Sequence, residues 1–152
     1  MAASATTVHA SAVLVGARAV VIRGPSGSGK SRLALALIEA GRNGTLMFAR
    51  LVGDDRIFLK PAGGRLLVQP AESLVGLIEV RGTGLLRLDY EPEAVAGLVV
   101  DLAAADAERL PDKTRDIVEI YGVRLPRLAV AATEEALPGV LARINSSSEQ
   151  WA

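Results

Sequence analysis

The chain has 152 residues, half of them hydrophobic but only 3% aromatic; that is the length of one domain, whose core must be filled by Val, Leu, Ile and Ala. Seventeen basic and seventeen acidic residues cancel, which removes the electrostatic footprint of a DNA- or RNA-coating protein, and the absence of cysteine excludes disulfides, thiolate metal sites and a thiol nucleophile. No apolar stretch reaches the ~18 to 20 residues that span a bilayer and no basic leader precedes one, so a soluble, cytoplasmic protein is expected, with neither nucleic acid nor membrane as partner.

In chain order, Thr6 to Val15 alternates partially between β-branched or apolar residues and others, and Gly16-Ala17 breaks it from the apolar run Ala19 to Arg23, which predicts a β-hairpin. Next stands Gly24-Pro25-Ser26-Gly27-Ser28-Gly29-Lys30-Ser31, which matches the phosphate-binding P-loop at every required position. Gly27 and Gly29 allow positive φ, so that successive backbone N–H groups can turn toward phosphate oxygens while the following helix points its positive end at them. Lys30 adds a charge that reaches the β and γ phosphates, and Ser31 offers a hydroxyl to Mg²⁺. The loop specifies a nucleotide or phosphoryl group without specifying a reaction.

A helix is predicted from Lys30 to about Ala40, stopped by Gly41, with Arg42-Asn43-Gly44 returning the chain to a strand at Leu46 to Val52. Pro61-Ala62-Gly63-Gly64 separates Ile57-Phe58-Leu59 from Leu66-Leu67-Val68 as a second hairpin, and Arg81-Gly82-Thr83-Gly84 separates the runs Leu77 to Val80 and Leu85 to Leu88. Gly97 to Leu102 reads as a buried strand. Ile117 to Val130 reads as one or two more, interrupted near Pro126. A last helix is expected from Glu134 to Ile144 with Thr133 as N-cap, and residues 145–152 read as a disordered tail beyond a single domain, 1–144. The result is an α/β chain with a mixed, β-rich central sheet, one helix after the P-loop and one at the C-terminus, without the regular βαβα alternation of a nucleoside-monophosphate kinase.

P-loop chemistry needs a carboxylate at a strand end. Leu98-Val99-Val100-Asp101 has the usual apolar-plus-Asp pattern, whereas Leu51-Val52-Gly53-Asp54-Asp55 offers a pair, which equally fits a polar turn. Paired carboxylates crowd like charge, so that one can take a proton while the other stays ionised near a metal. Glu79 and Arg81 are two residues apart and should share a strand face, as a site or as a structural ion pair. The lone histidine, His9, lies on the first strand, where an edge residue is the plainer reading.

Taken in order, His9, the P-loop, Leu51-Val52-Gly53-Asp54-Asp55-Arg56 and Leu77-Ile78-Glu79-Val80-Arg81-Gly82-Thr83-Gly84-Leu85-Leu86 resemble the catalytic domain of HPr kinase/phosphorylase, the bacterial enzyme that phosphorylates a serine of the phosphocarrier HPr. The resemblance runs from about His9 to Pro126 and implies the P-loop kinase fold of that family. It implies ATP and Mg²⁺ as cofactors, Asp54 as the acid/base residue with Asp55 beside it, and Lys30 on the phosphates. It further implies Ser31 and Glu79 on the metal, Arg81 near the transferring group, His9 as an active-site neighbour and Arg109 near the substrate phosphoserine. Asp101 then reverts to structure. HPr or an HPr-like carrier is the implied partner, phosphorolysis the implied reverse activity, and a homo-oligomer, hexameric in the family, the implied assembly. The chain resembles short forms without a separate N-terminal domain, and it reads Val130-Ala131-Ala132-Thr133-Glu134 where many members carry Arg-Pro-Gly-Arg. Two rivals remain: a small-molecule P-loop kinase, although no arginine-rich lid helix is seen between Lys30 and Asp101, and a non-catalytic nucleotide sensor.

Overall fold

β2 (Ser11–Val15) and β3 (Arg18–Arg23) form the expected hairpin around Gly16-Ala17. In the computed structural model, which describes residues 6–107 and 117–146, this hairpin lies one strand in from the edge of a nine-stranded mixed sheet. β4 (Ala49–Gly53) pairs antiparallel with the free edge of β2, and β9 (Ala94–Asp101) lies parallel to β3. The far side of β9 is shared. Its start pairs antiparallel with β6 (Arg65–Pro70), and its end pairs parallel with β11 (Val123–Ala129). Beyond β6 come β5 (Arg56–Ala62) and β1 (Thr7–His9), while β10 (Ile117–Ile120) pairs with β11. β7 (Leu77–Val80) and β8 (Gly84–Arg87) form a separate two-stranded hairpin.

Strand alternation gives the sheet two buried faces. Val13, Val15, Val20, Ile22, Leu98 and Val100 pack against Leu33, Ala34, Leu37 and Ile38 of helix α1 (Lys30–Arg42), with Ile78 of β7 and Val140 and Ile144 of helix α2 (Ala136–Ser146). On the other face Ala12, Ala19, Val21 and Val99 meet Ile57, Leu66, Val68 and Leu125. β9 changes phase between them. Ala96 pairs with Ala19 but Leu98 with Val20, which leaves Gly97 as the extra residue that shifts the alternation by one. Through these pairings the parallel strands β3, β9 and β11 all end on one edge, where open α/β sheets bind ligands.

Several boundaries differ from the sequence reading. Helix α1 runs through Gly41 to Arg42 and ends at Asn43, whose N–H donates to Glu39 O at 2.9 Å and whose Oδ1 accepts from Thr45 N at 3.0 Å. Gly41 serves close approach instead of a stop, since a Cβ there would lie 2.8 Å from Ala49 Cβ. β4 therefore starts at Ala49, and Leu46 is a buried loop residue. Pro126 does not break β11: it sits opposite Ile117 at the end of the β10 ladder, just before Arg127 takes up pairing with β9, so no ladder needs its missing N–H. α2 begins two residues later than expected, with Pro138 in its first turn, where an N–H has no helical partner anyway. It also extends through Asn145 and Ser146, the start of the expected tail; the rest of that tail, 147–152, lies outside the described residues. Among the described residues no helix is long and apolar enough to cross a membrane.

Candidate active site

β3 delivers the chain into the P-loop at Arg23, and the loop needs its glycines for two different reasons. At Gly24 the reason is space: a Cβ would meet Ser28 Oγ at 2.5 Å and Leu102 O at 3.1 Å. At Gly27 and Gly29 it is conformation, with φ of 82° and 100° and nothing near enough to clash. Gly29 O accepts from Leu33 N at 2.9 Å and so starts α1, whose first turn carries no acidic side chain to neutralise its positive end. Lys30 Nζ donates to Gly24 O at 2.8 Å and Pro25 O at 3.1 Å, which holds the ammonium group over the loop. Ser28 Oγ is buried without a hydrogen-bond partner among the described residues.

Asp54 follows the last residue of β4 and is 3% exposed. Donors from three other segments converge on it. Ser31 Oγ lies 2.8 Å from its Oδ1 and 2.9 Å from its Oδ2, Ser11 Oγ donates to Oδ1 at 2.6 Å, and the backbone N–H of Glu79 reaches Oδ2 at 3.3 Å. Asp54 thus joins the P-loop helix, β2 and β7. Asp55 is different: it is exposed, its φ is 68°, and its N–H donates to Ser11 Oγ at 3.4 Å. A tight turn holds the backbone that carries both carboxylates, with Arg56 N donating to Asp54 O at 2.7 Å.

Ser11 is the residue the sequence reading missed. It is fully buried and accepts from Asp55 while donating to Asp54; the available signal was a hydroxyl in an otherwise apolar strand, where burial demands a polar partner.

The remaining expected site residues are spread around this centre. His9 ends β1, is exposed, and pairs across the ladder with Arg56, while its neighbour Ala10 donates to Asp55 O at 3.2 Å. The β7–β8 hairpin carries Glu79, whose side chain is exposed. Arg81 does not share its strand face as expected: β7 ends at Val80, so Arg81 lies in the turn, exposed, and no ion pair joins the two. Arg109 lies outside the described residues.

Asp101, the competing carboxylate, is occupied elsewhere. Arg23 grips it through two bonds of 2.7 and 2.8 Å, Arg127 Nε donates to it at 2.6 Å, and Arg127 continues to Asp106 at 2.7 and 3.0 Å. Burial works against the Asp101 charge, but the hydrogen bonds and positive charges of Arg23 and Arg127 outweigh it and hold the carboxyl below its ordinary 3.8. Asp106 contributes most to pushing the Arg127 guanidinium up. The chain ties the ends of β3, β9 and β11 together beneath the loop.

The Ser31 hydroxyl and the Asp54 carboxylate meet here, and Glu79, whose backbone N–H reaches that carboxylate, carries a further, exposed carboxylate on β7. Such a set suits Mg²⁺, which binds one or two carboxylates and completes its shell with water and substrate phosphates. Among the described residues no group of three or more acidic, histidine or cysteine side chains is placed to hold a metal ion by itself.

The family described as HPr Serine kinase C-terminal domain matches residues 1–136. An HPr kinase/phosphorylase from Streptococcus thermophilus is 32% identical over 139 residues, which take in 84% of this chain and 43% of the relative. One from Streptococcus gordonii is 34% identical over 140 residues, covering 84% and 42%. The chain thus spans less than half the length of these curated relatives. Among solved structures, the Hpr(Ser) kinase/phosphatase from Coxiella burnetii has the same fold, with a TM-score of 0.75 at 22% identity over 95% of this chain and 97% of that one. The chain belongs to the HPr serine kinase C-terminal domain family.

Proposed function

We propose that this chain is a single catalytic domain, cytoplasmic and assembled as a homo-oligomer, that transfers the γ-phosphoryl group of ATP to a serine of HPr or an HPr-like carrier, and that removes it by phosphorolysis. The observation that carries the reading is the contact of Ser31, on the P-loop helix, with Asp54: it sets a carboxylate beside the phosphate end of a nucleotide site. Family membership and the curated relatives support the carrier as substrate. A chain without cysteine and with balanced charge suits the cytoplasm and a protein substrate.

In this reading the P-loop backbone and Lys30 bind the donor's phosphates, Lys30 exchanging its contacts with Gly24 O and Pro25 O for phosphate oxygens. Ser31 and Glu79 would hold Mg²⁺, which would supply positive charge to offset that of the donor's phosphates. Asp54 takes the proton of the attacking serine hydroxyl. An oxygen must be released to do so, and of its three donors the part-exposed Ser31 hydroxyl is the one able to turn away, since Ser11 is fully buried and the Glu79 donor is backbone. Asp55, exposed on the same turn, and His9 face the incoming carrier. Arg81, free to swing on its glycine-flanked turn, offers a guanidinium fork to the transferring group, and Arg109 meets the carrier's phosphoserine.

Incubation of the chain with ATP, Mg²⁺ and HPr should produce phosphoserine, and Asp54→Ala should abolish it while ATP still binds. Absence of phosphoserine, or an equal yield from Asp54→Ala, overturns the reading.

A further inference from the structure

The β7–β8 hairpin packs only one of its faces. Ile78 is fully buried, and Val80 and Leu86 pack against the same core, so these side chains fix the hairpin against the α1 side of the sheet. The residues between them point the other way. On that outer face Leu77 and Glu79 of β7 stand across from Arg87 and Leu85 of β8. Leu85 is 63% exposed, more than any other large hydrophobic side chain on a described strand. Arg87 and the turn residue Arg81 are exposed and without an ion-pair partner among the described residues. We infer that this outer face is the docking surface of the acceptor protein, with Leu85 receiving an apolar side chain next to the target serine and the arginines receiving carboxylates around it.

The inference rests on the proposed kinase reaction and follows from the ladder. The Glu79 N–H donates to Asp54 Oδ2 at 3.3 Å and so points away from β8. Glu79 and Leu85 are therefore a non-hydrogen-bonded pair, the kind whose side chains stand closest, with Cβ atoms about 4.5 to 5.5 Å apart. An exposed leucine is thus held beside the residue whose backbone grips the proposed proton acceptor. A serine that brings its hydroxyl to Asp54 carries its own surroundings over this hairpin. Those surroundings belong to a folded protein. A small acceptor needs an enclosing pocket, and the cleft of about 590 Å³ beside the P-loop is lined by none of Asp54, Glu79 and Leu85. A protein surface supplies the missing walls itself, and an apolar centre with a charged rim is the usual anatomy of such a contact. The chain as a whole has no net charge, so attraction for an acidic partner must be local, and Arg81 and Arg87 provide it. The exposed apolar surface continues at the base of the hairpin, where Tyr90 lies over Gly76: a Cβ on Gly76 would stand 3.2 Å from Tyr90 Cδ1.

Leu85→Ser removes the apolar centre at an exposed position that the core does not use, and Leu85→Met restores it. Steady-state transfer should show KM for HPr raised about tenfold or more by Leu85→Ser, with kcat at saturating HPr within about threefold and calorimetric ATP affinity within about twofold of the unaltered chain. Leu85→Met should hold KM within about threefold. Arg87→Gln should raise KM for HPr at low ionic strength and lose that effect at high. A KM within about twofold for Leu85→Ser, or equal weakening of HPr and ATP, overturns the docking surface alone. So does a change in sedimentation with KM unaltered, which would assign the face to a second copy of the chain. If the unaltered chain forms no phosphoserine on HPr, the kinase reading falls and this inference with it.

Discussion

Ser31 and Asp54 lie 23 residues apart and share one hydrogen between a hydroxyl and both carboxylate oxygens, at 2.8 and 2.9 Å. The contact welds the start of α1 to the end of β4 across the intervening β2. Asp54→Asn keeps the side chain's size but removes its charge and half its accepting capacity. Phosphoryl transfer to HPr should fall about 10²- to 10⁴-fold, with ATP affinity within about tenfold of the unaltered chain. Transfer rates and calorimetry on the same preparation separate the two quantities, and a rate within tenfold of the original would remove Asp54 from the proton step.

Ser11 should act through Asp54. Ser11→Ala removes the 2.6 Å donor to Oδ1 and leaves Asp55 N without its acceptor. The cost in stability is about 1 to 3 kcal/mol, because the site is buried. Steady-state kinetics should show kcat reduced with KM for ATP little changed, since no phosphate contact is lost; Ser11→Thr, which restores a hydroxyl, should recover part of kcat.

Gly24→Ala tests the loop's close packing. Its Cβ would stand 2.5 Å from Ser28 Oγ, which can rotate, but also 3.0 Å from Leu102 Cβ and 3.1 Å from Leu102 O, which are held by the Leu102 N to Arg23 O bond of 2.8 Å. The backbone must therefore move. Overpacking of this kind costs about 1 to 3 kcal/mol, and a displaced loop should lose nucleotide binding; thermal melts with and without ATP check both.

These relationships differ in how far the chain announced them. The P-loop and its flanks were legible because the motif is local: strand, glycine turn and helix are contiguous, and each residue's task follows from backbone geometry. The hairpins at Pro61 to Gly64 and Arg81 to Gly84 were legible for the same reason. What escaped depended on contacts distant in sequence. Gly41 reads as a helix stop until Ala49 is seen against it, and Ser11 passes without notice until Asp54 is placed beside it. Asp101 matched the strand-end carboxylate pattern better than Asp54 did; the family resemblance returned it to structure, and the arginines reaching it from β3 and β11 show how its charge is spent there. Arg81 was assigned to a strand face by counting in twos, whereas β7 ended one residue earlier.

The Asp101 network makes stability depend on acid. The folded-state pKa of Asp101 is lowered from 3.8, so its contribution is fully present above about 3.8 and is lost as pH falls through the lower folded value. Asp101→Asn removes that titration. At neutral pH it should cost about 1 to 3 kcal/mol, as charge-assisted bonds from Arg23 and Arg127 are weakened. Below about pH 4 the gap between variant and unaltered chain should close. Urea melts across pH 2.5 to 7 would show this as converging curves; parallel curves would mean that the carboxyl titrates alike in the folded and unfolded chains.

Gly41 sets two effects of opposite sign against each other. Inside a helix, alanine is favoured over glycine by about 1 kcal/mol, so propensity alone predicts that Gly41→Ala stabilises. The added Cβ, however, would lie 2.8 Å from both Ala49 Cβ and Ala49 N. The second contact cannot relax by side-chain rotation, and Ala49 is paired with Val15 at the start of β4. Displacing helix against strand is an overpacking cost of about 1 to 3 kcal/mol, so a net loss is expected. Ala49→Gly removes the Cβ contact but leaves the backbone one. In that background the loss caused by Gly41→Ala should therefore shrink without vanishing, a coupling that a double-mutant cycle of melting free energies measures directly. A rise in Tm for Gly41→Ala alone would show that α1 can move away from β4, and that the distance between them is set by something other than this glycine.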